Sequence, residues 1–202
     1  LREMSAPDGG FIASLSAVDS HGREGGPYQT DHDELARILS EAQLQAAVLA
    51  WGLDQPPGPH DRYLIIGRRS PEEVAARLNS TPSEVRLHLR DALRSLRAAR
   101  RAHPVPRDGK RLAGWNGLAL SALVRAVSIG GGETFEAAAR NVRDYVVSEL
   151  IDGEKVSRMR DRGTARGAAG LRDYVYLARG LLDWAELTQS TADRRIAVRL
   201  LQ

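Results

Sequence analysis

From Leu118 to Ser128 the chain carries a single charge, Arg125, among leucine, alanine, valine and serine. A helix that is apolar nearly all round has to be enclosed by other elements, so this stretch predicts a buried helix over 116–128 inside a helical packing. Its entrance is as polar as its body is apolar. Asp108-Gly109-Lys110-Arg111-Leu112-Ala113-Gly114-Trp115-Asn116-Gly117 sets Asp, Lys, Trp and Asn at the N-terminal end. Backbone N–H groups there lack helical partners, and the helix dipole favours anionic or hydroxyl-rich ligands. Asp108, Lys110, Trp115 and Asn116 are therefore candidate ligand contacts.

The remainder reads as a series of helices behind an irregular start. Residues 1–30, rich in Gly, Ser, Asp and Pro, predict loop and short strand, and residues 31–202 a helical region. Thr30 with Asp33 resembles a cap, and Leu35, Ile38, Leu39, Ala42, Ala46 and Leu49 mark one helical face up to Trp51. Pro56-Pro57-Gly58-Pro59 forces a loop. Ser70-Pro71-Glu72-Glu73 and Thr81-Pro82-Ser83-Glu84 each combine an N-cap, a proline at the first helical position and a closing glutamate. The second opens a long helix with Val85, Leu89, Leu93 and Leu96 as its stripe, ending before His103-Pro104-Val105-Pro106.

Gly130-Gly131-Gly132 ends the apolar helix, and an amphipathic one follows over 134–150. Residues 151–170 break the pattern with a small hairpin and a run of Arg, Asp and Gly, before helices over 171–187 and after Thr191. A buried helix alternating with an amphipathic one predicts an all-α chain, a partial (α/α)6 toroid with an irregular N-terminal segment. About seven helices make roughly half of such a barrel, and the exposed flank is expected to be apolar and to meet a missing barrel half or a partner chain.

Composition narrows the chemistry. The 202 residues are 42% hydrophobic, enough to bury a core. A net charge of +3, from 29 basic against 26 acidic residues, makes a weak case for nucleic acid. A basic stripe of Arg86, Arg90, Arg94, Arg97 and Arg101, which Arg158, Arg160, Arg162 and Arg166 could extend, reads first as a solvated face paired with Glu84 and Asp91. With no cysteine there is no disulfide, thiolate nucleophile or cysteine metal site. Asp31-His32-Asp33 does not converge on one ion, so no metal and no cofactor are expected. No apolar run reaches the roughly 18 residues of a membrane span. The chain opens on Leu1 without a signal or transit pattern, which reads as an internal piece of a longer protein, and a cytoplasmic location is the expectation.

Gly9-Gly10-Phe11, Ser14-Leu15, Arg23-Glu24-Gly25, Trp51-Gly52-Leu53, Asp108-Gly109-Lys110, Trp115-Asn116-Gly117-Leu118 and Leu171-Arg172-Asp173-Tyr174 occur in an order that resembles one family. These are the thioredoxin-domain-containing proteins related to spermatogenesis-associated protein 20. The resemblance implies an N-terminal thioredoxin-like domain, absent here, followed by a six-hairpin glycosidase-type (α/α)6 region related in fold to N-acylglucosamine 2-epimerases. It covers nearly all of this chain but part of the family's length. The chain departs from the family at Leu15-Ser16-Ala17-Val18-Asp19, at Tyr28-Gln29-Thr30 and at Asp108-Gly109-Lys110, losing two carboxylates and one aromatic. Pro56-Pro57-Gly58-Pro59 also replaces a glycine- and asparagine-rich loop.

A carbohydrate pocket needs an aromatic platform for the apolar sugar face and amides or carboxylates for its hydroxyls. Trp115, Asn116, Asp108, Lys110, Asp173 and Tyr174 supply these types and form the expected substrate-binding set. Three also have a structural use: Asn116 as a helix N-cap, Trp115 as a packing wedge and Asp173 as a cap for the helix that follows. Epimerisation or hydrolysis further needs a second carboxylate or a histidine as base. Asp19, Glu24, His21 and His103 are available, none singled out by spacing, so no catalytic residue is assigned. The alternative is a non-catalytic interaction module.

Overall fold

A computed structural model describes residues 3–19, 22–58, 61–102 and 105–202. In chain order its elements are β1 (Ser14–Leu15), β2 (Gln29–Thr30), α1 (His32–Ile38), α2 (Glu41–Ala50), β3 (Tyr63–Leu64), α3 (Pro71–Leu78), α4 (Pro82–Arg101), β4 (Arg107–Asp108), β5 (Arg111–Leu112), α5 (Ala113–Ser128), α6 (Glu133–Tyr145), β6 (Ile151–Asp152), β7 (Lys155–Asp161), β8 (Thr164–Ala168), α7 (Leu171–Thr188) and α8 (Thr191–Arg199). They cluster into two units. Residues up to Leu15 group with Arg107–Gln202, and Ser16–Pro106 form the other.

The all-α expectation is overturned. The chain is mixed, 57% helix and 14% strand. The largest departure follows from the turn Arg162-Gly163, where both residues adopt left-handed backbone with φ of 47° and 78°. That is the two-residue geometry that matches strand twist, and it folds β7 back on β8 with Asp161 opposite Thr164. β7 then also pairs antiparallel with β5 and β6, so a segment expected to hold only a small hairpin organises a four-stranded sheet. Two further ladders, β1 with β4 and β2 with β3, join residues far apart in sequence.

In the Ser16–Pro106 unit, the helix expected to run unbroken to Trp51 is two helices. Leu39 leaves helical geometry with φ −105° and ψ 147°, and Ser40 opens α2 by donating its N–H to Gln43 Oε1 at 3.1 Å. The Ser70–Glu73 and Thr81–Glu84 boxes both form and start α3 and α4. Leu35, Ala47, Trp51, Val74, Val85, Ala92 and Leu96 build the core.

In the other unit, α5 and α6 meet at the Gly130–Gly132 turn, and α6 ends in a π-helical turn over Val146–Leu150. α5 begins three residues before the predicted start, so Leu112 and not Asn116 is its N-cap. α7 runs parallel to α5, since Gly114 lies against Asp173 and Gly117 against Tyr176, Leu177 and Gly180. The approach is close enough that a Cβ on Gly117 would collide with the Tyr176 carbonyl. Leu120, Val142, Tyr145, Leu150, Leu177, Leu181 and Trp184 fill this core. α5 is not buried all round: Trp115 and Leu118 face solvent, as does Ile129 just past its end. Among the described residues no helix is long and apolar enough to cross a membrane.

Candidate functional site

The parallel pairing of α5 and α7 brings their N-termini to one place, and a single carboxylate serves both. Asp173 Oδ1 accepts the Gly114 N–H of α5 at 3.1 Å, while Oδ2 accepts the Gly170 N–H before α7 at 3.0 Å. These are donors that helix geometry leaves open, and negative charge belongs at that end of the dipole. Asp173 is thus a bridge between two helix starts.

Asn116 is equally committed. Only 1% exposed, it accepts the Phe11 N–H on Oδ1 at 2.7 Å and donates from Nδ2 to the carbonyls of Phe11 at 3.1 Å and Leu112 at 3.0 Å. Both amide hydrogens are used, so none remains for a ligand. The Tyr174 hydroxyl accepts the Val156 N–H at 3.2 Å and ties β7 to α7.

The other three predicted residues present themselves differently. β4 is held by the pairing of Asp108 with Ser14. Asp108 Oδ1 accepts the Lys110 N–H at 3.2 Å and Oδ2 lies 3.0 Å from Lys110 Nζ. The Lys110 ammonium and N–H hold the Asp108 carboxyl below its ordinary value. This ion pair is half-exposed. Trp115, one turn into α5, is 58% exposed. It is an open indole face rather than a packing wedge, while Trp51 and Trp184 are buried. The entrance therefore keeps an aromatic platform and one ion pair, and the buried amide and bridging carboxylate hold the backbone.

No second acid or base completes a catalytic set among the described residues. Asp19 binds Arg23 through Nε at 2.8 Å and through its N–H at 2.9 Å, Glu24 is exposed, and His21 and His103 lie outside the described residues. No group of His, Asp or Glu among the described residues is arranged to hold a metal ion. On the basic stripe, Arg90 and Arg94 share Asp91, and Arg86 pairs with Glu72.

The residues that sequence reasoning passed over lie beside this entrance. Gly9 and Gly10, at φ of 106° and 68°, lay their backbone flat against the Tyr145 ring, so close that a Cβ on Gly10 would fall 2.8 Å from Tyr145 Cδ1. The Arg111 guanidinium sits over the same ring, 5.3 Å from its centroid. Tyr145 Oη and Arg111 Nε are both buried without a hydrogen-bond partner. Burial pushes the Tyr145 phenol up, and the charges of Arg111, Asp8, Arg160 and Glu149 act on it. Leaving such a donor unpaired costs about 1–3 kcal/mol. The Gly9-Gly10 dipeptide was the one visible signal, because successive positive φ values imply a close backbone approach.

These features define a class of site: a parallel helix pair whose N-termini share one carboxylate, entered through an exposed tryptophan and flanked by an arginine–tyrosine stack. No family model matches the chain. It is homologous to spermatogenesis-associated protein 20 at about 30% identity over nearly its whole length. The human protein is 32% identical over 234 aligned positions covering 98% of this chain, and the mouse protein 30% identical over 237 covering 98%. The rat protein is 32% identical over 155, covering 70% of this chain. The chain spans 30% of the human and mouse relatives and 19% of the rat one.

Proposed function

We propose that this chain is a carbohydrate-related region, glycosidase- or epimerase-like in descent, that binds a sugar at the entrance of α5 and catalyses nothing by itself. The observation that carries this reading is Trp115, the one exposed indole among three tryptophans, placed in the first turn of α5, five residues along the chain from the half-exposed Asp108–Lys110 ion pair. An open aromatic face supplies the apolar platform, and the ion pair offers both an acceptor and a donor for hydroxyls. Catalysis is left out because Asn116 and Asp173 are spent on backbone groups and, among the described residues, no acid–base pair accompanies them. Homology to spermatogenesis-associated protein 20 supports the family resemblance from which the carbohydrate reading comes, and with no cysteine the chain brings no thiol chemistry to it.

The test is a fluorescence and thermal-shift titration of the intact chain with neutral sugars, amino sugars and sugar phosphates. The reading expects one sugar class to quench tryptophan emission and raise Tm, with Trp115→Ala removing both responses while the unliganded Tm stays within 2 °C, roughly the scale of a surface substitution. A ligand response that survives Trp115→Ala, or no response to any sugar, overturns it. A second reading, a non-catalytic interaction module, draws on Trp115, Leu118 and Ala122, which follow helical spacing along one exposed side of α5. It expects no sugar response and a loss of self- or partner association in Leu118→Asp.

A further inference from the structure

We infer that Arg111, with Tyr145 beneath it and Arg160 beside it, is an oxyanion-binding site in which Asp8 is the resident occupant, and that a carboxylate or phosphate ligand takes the position by displacing the Asp8 side chain. This goes beyond the sugar-binding reading and does not depend on it.

The argument begins with how Arg111 spends its donors. Its side chain is 10% exposed, Nη1 donates to the Gly109 carbonyl at 2.8 Å, and Nη2 pairs with Asp8 Oδ2. Nε is buried and has no partner. A carboxylate or phosphate meets a guanidinium best through two parallel bonds, to Nε and to an Nη on the same side. Asp8 makes one of the two, which leaves the fork half used. The Tyr145 hydroxyl is a further buried donor without a partner, in a residue only 4% exposed. Arg160 stands opposite Arg111 in the β5–β7 pairing, its own guanidinium engaged by Glu149 Oε2 at 2.9 Å and by the Glu149 carbonyl at 3.2 Å.

Asp8 is built to leave. Its side chain is 63% exposed and sits at the tip of a tight loop. The base of that loop is fastened independently, by the Ser5–Phe11 bridge, by the Ala6 N–H to the Gly10 carbonyl at 3.0 Å, by the Gly10 N–H to Asn141 Oδ1 at 3.2 Å and by Phe11 to Asn116. Rotating one carboxylate outward breaks none of these bonds. It opens Nη2 of an otherwise enclosed arginine, while the glycine backbone stays against the Tyr145 ring.

The test uses the intact chain titrated with inorganic phosphate and with acetate, each against sodium chloride at matched ionic strength, by calorimetry and thermal shift. Removing the resident carboxylate in Asp8→Asn is expected to tighten binding of the preferred anion at least tenfold over the unaltered chain. Adding Tyr145→Phe, which keeps the ring and its packing, is expected to return at least half of that gain on a logarithmic scale, and adding Arg111→Lys to remove it. Phosphate binding without acetate binding assigns the site to phosphate esters, and the reverse assigns it to carboxylates. Equal affinity in Asp8→Asn and the unaltered chain, or a gain that Tyr145→Phe and Arg111→Lys leave intact, overturns the inference.

Discussion

Helix starts in the two units are held in opposite ways. In the Ser16–Pro106 unit each cap is a neighbour. Asp31 accepts the Glu34 N–H at 2.8 Å, the Ser70–Glu73 and Thr81–Glu84 boxes close within three residues, and the Ser40 N–H donates to Gln43 Oε1. In the other unit α5 and α6 have no side-chain cap at their own N-caps, Leu112 and Gly132. The Gly114 N–H of α5 finds Asp173, 59 positions later, and the same residue closes the start of α7 from three positions away. α8 also follows the local rule, with Ser190 accepting the Asp193 N–H at 3.2 Å. A local cap stabilises a helix wherever that helix packs, whereas a cap borrowed from another helix forms only once the two are assembled. Stability in the α5–α7 unit is therefore expected to be more cooperative, and single changes there to cost more.

The hardest blow to this contrast is Gly117→Ala. Helix propensity alone would favour alanine by about 1 kcal/mol. The new Cβ, however, meets the Tyr176 carbonyl and the Leu177 N–H, backbone atoms that cannot rotate away. Overpacking typically costs about 1–3 kcal/mol, and against fixed backbone the upper end applies, so the clash wins. Chemical denaturation is expected to show a net loss of about 2 kcal/mol, and a gain in stability would break the account of how α5 and α7 meet.

Asp173→Ala comes next. It strips a partner from Gly114 and Gly170 together, at about 1–3 kcal/mol for the buried Gly114 N–H and less for the exposed Gly170 N–H, which water can take up. Hydrogen exchange is expected to speed up at the starts of both helices, α5 and α7, in this one variant. Exchange changed at α7 alone would reduce Asp173 to an ordinary local cap.

The smallest effect is Thr81→Ala, about 1 kcal/mol, confined to α4. Here acid sharpens the comparison. The Thr81 N–H and hydroxyl hold Glu84 below the ordinary glutamate value of 4.5. A depressed folded-state pKa stabilises above the unfolded value and is lost as pH falls through the folded one. The Tm difference between the unaltered chain and Glu84→Gln is thus expected to be full near about pH 6 and to shrink toward about pH 3. A gap that widens on acidification would contradict the box.

What was legible follows the same division. Ser70, Thr81 and the triple glycine announce helix ends because their physics is local, and α3, α4 and the α5–α6 turn are where the pattern puts them. The break at Leu39 was missed, although Ser40 and Gln43 stand at box spacing, because an apolar periodicity running through them was given precedence. The sheet was missed because β7 gathers partners from three segments, and only the Arg162-Gly163 turn is visible in the primary structure. At the candidate site, Trp115 and the Asp108–Lys110 pair stay open, while Asn116, Asp173 and Tyr174 turn inward to backbone groups.

The amino-acid sequence by itself determined where helices begin and end wherever a cap lies within one turn, and which chemistries the absence of cysteine removes. Tertiary structure alone decided that α5 and α7 run parallel at glycine contact, that one aspartate serves two helices, and that Arg111 and Tyr145 stack beneath a glycine loop. The physical reason is range. Hydrogen bonds across one turn are written in neighbouring residues, but a polar atom's partner 59 or 105 positions away is chosen by packing, once close approach has excluded water.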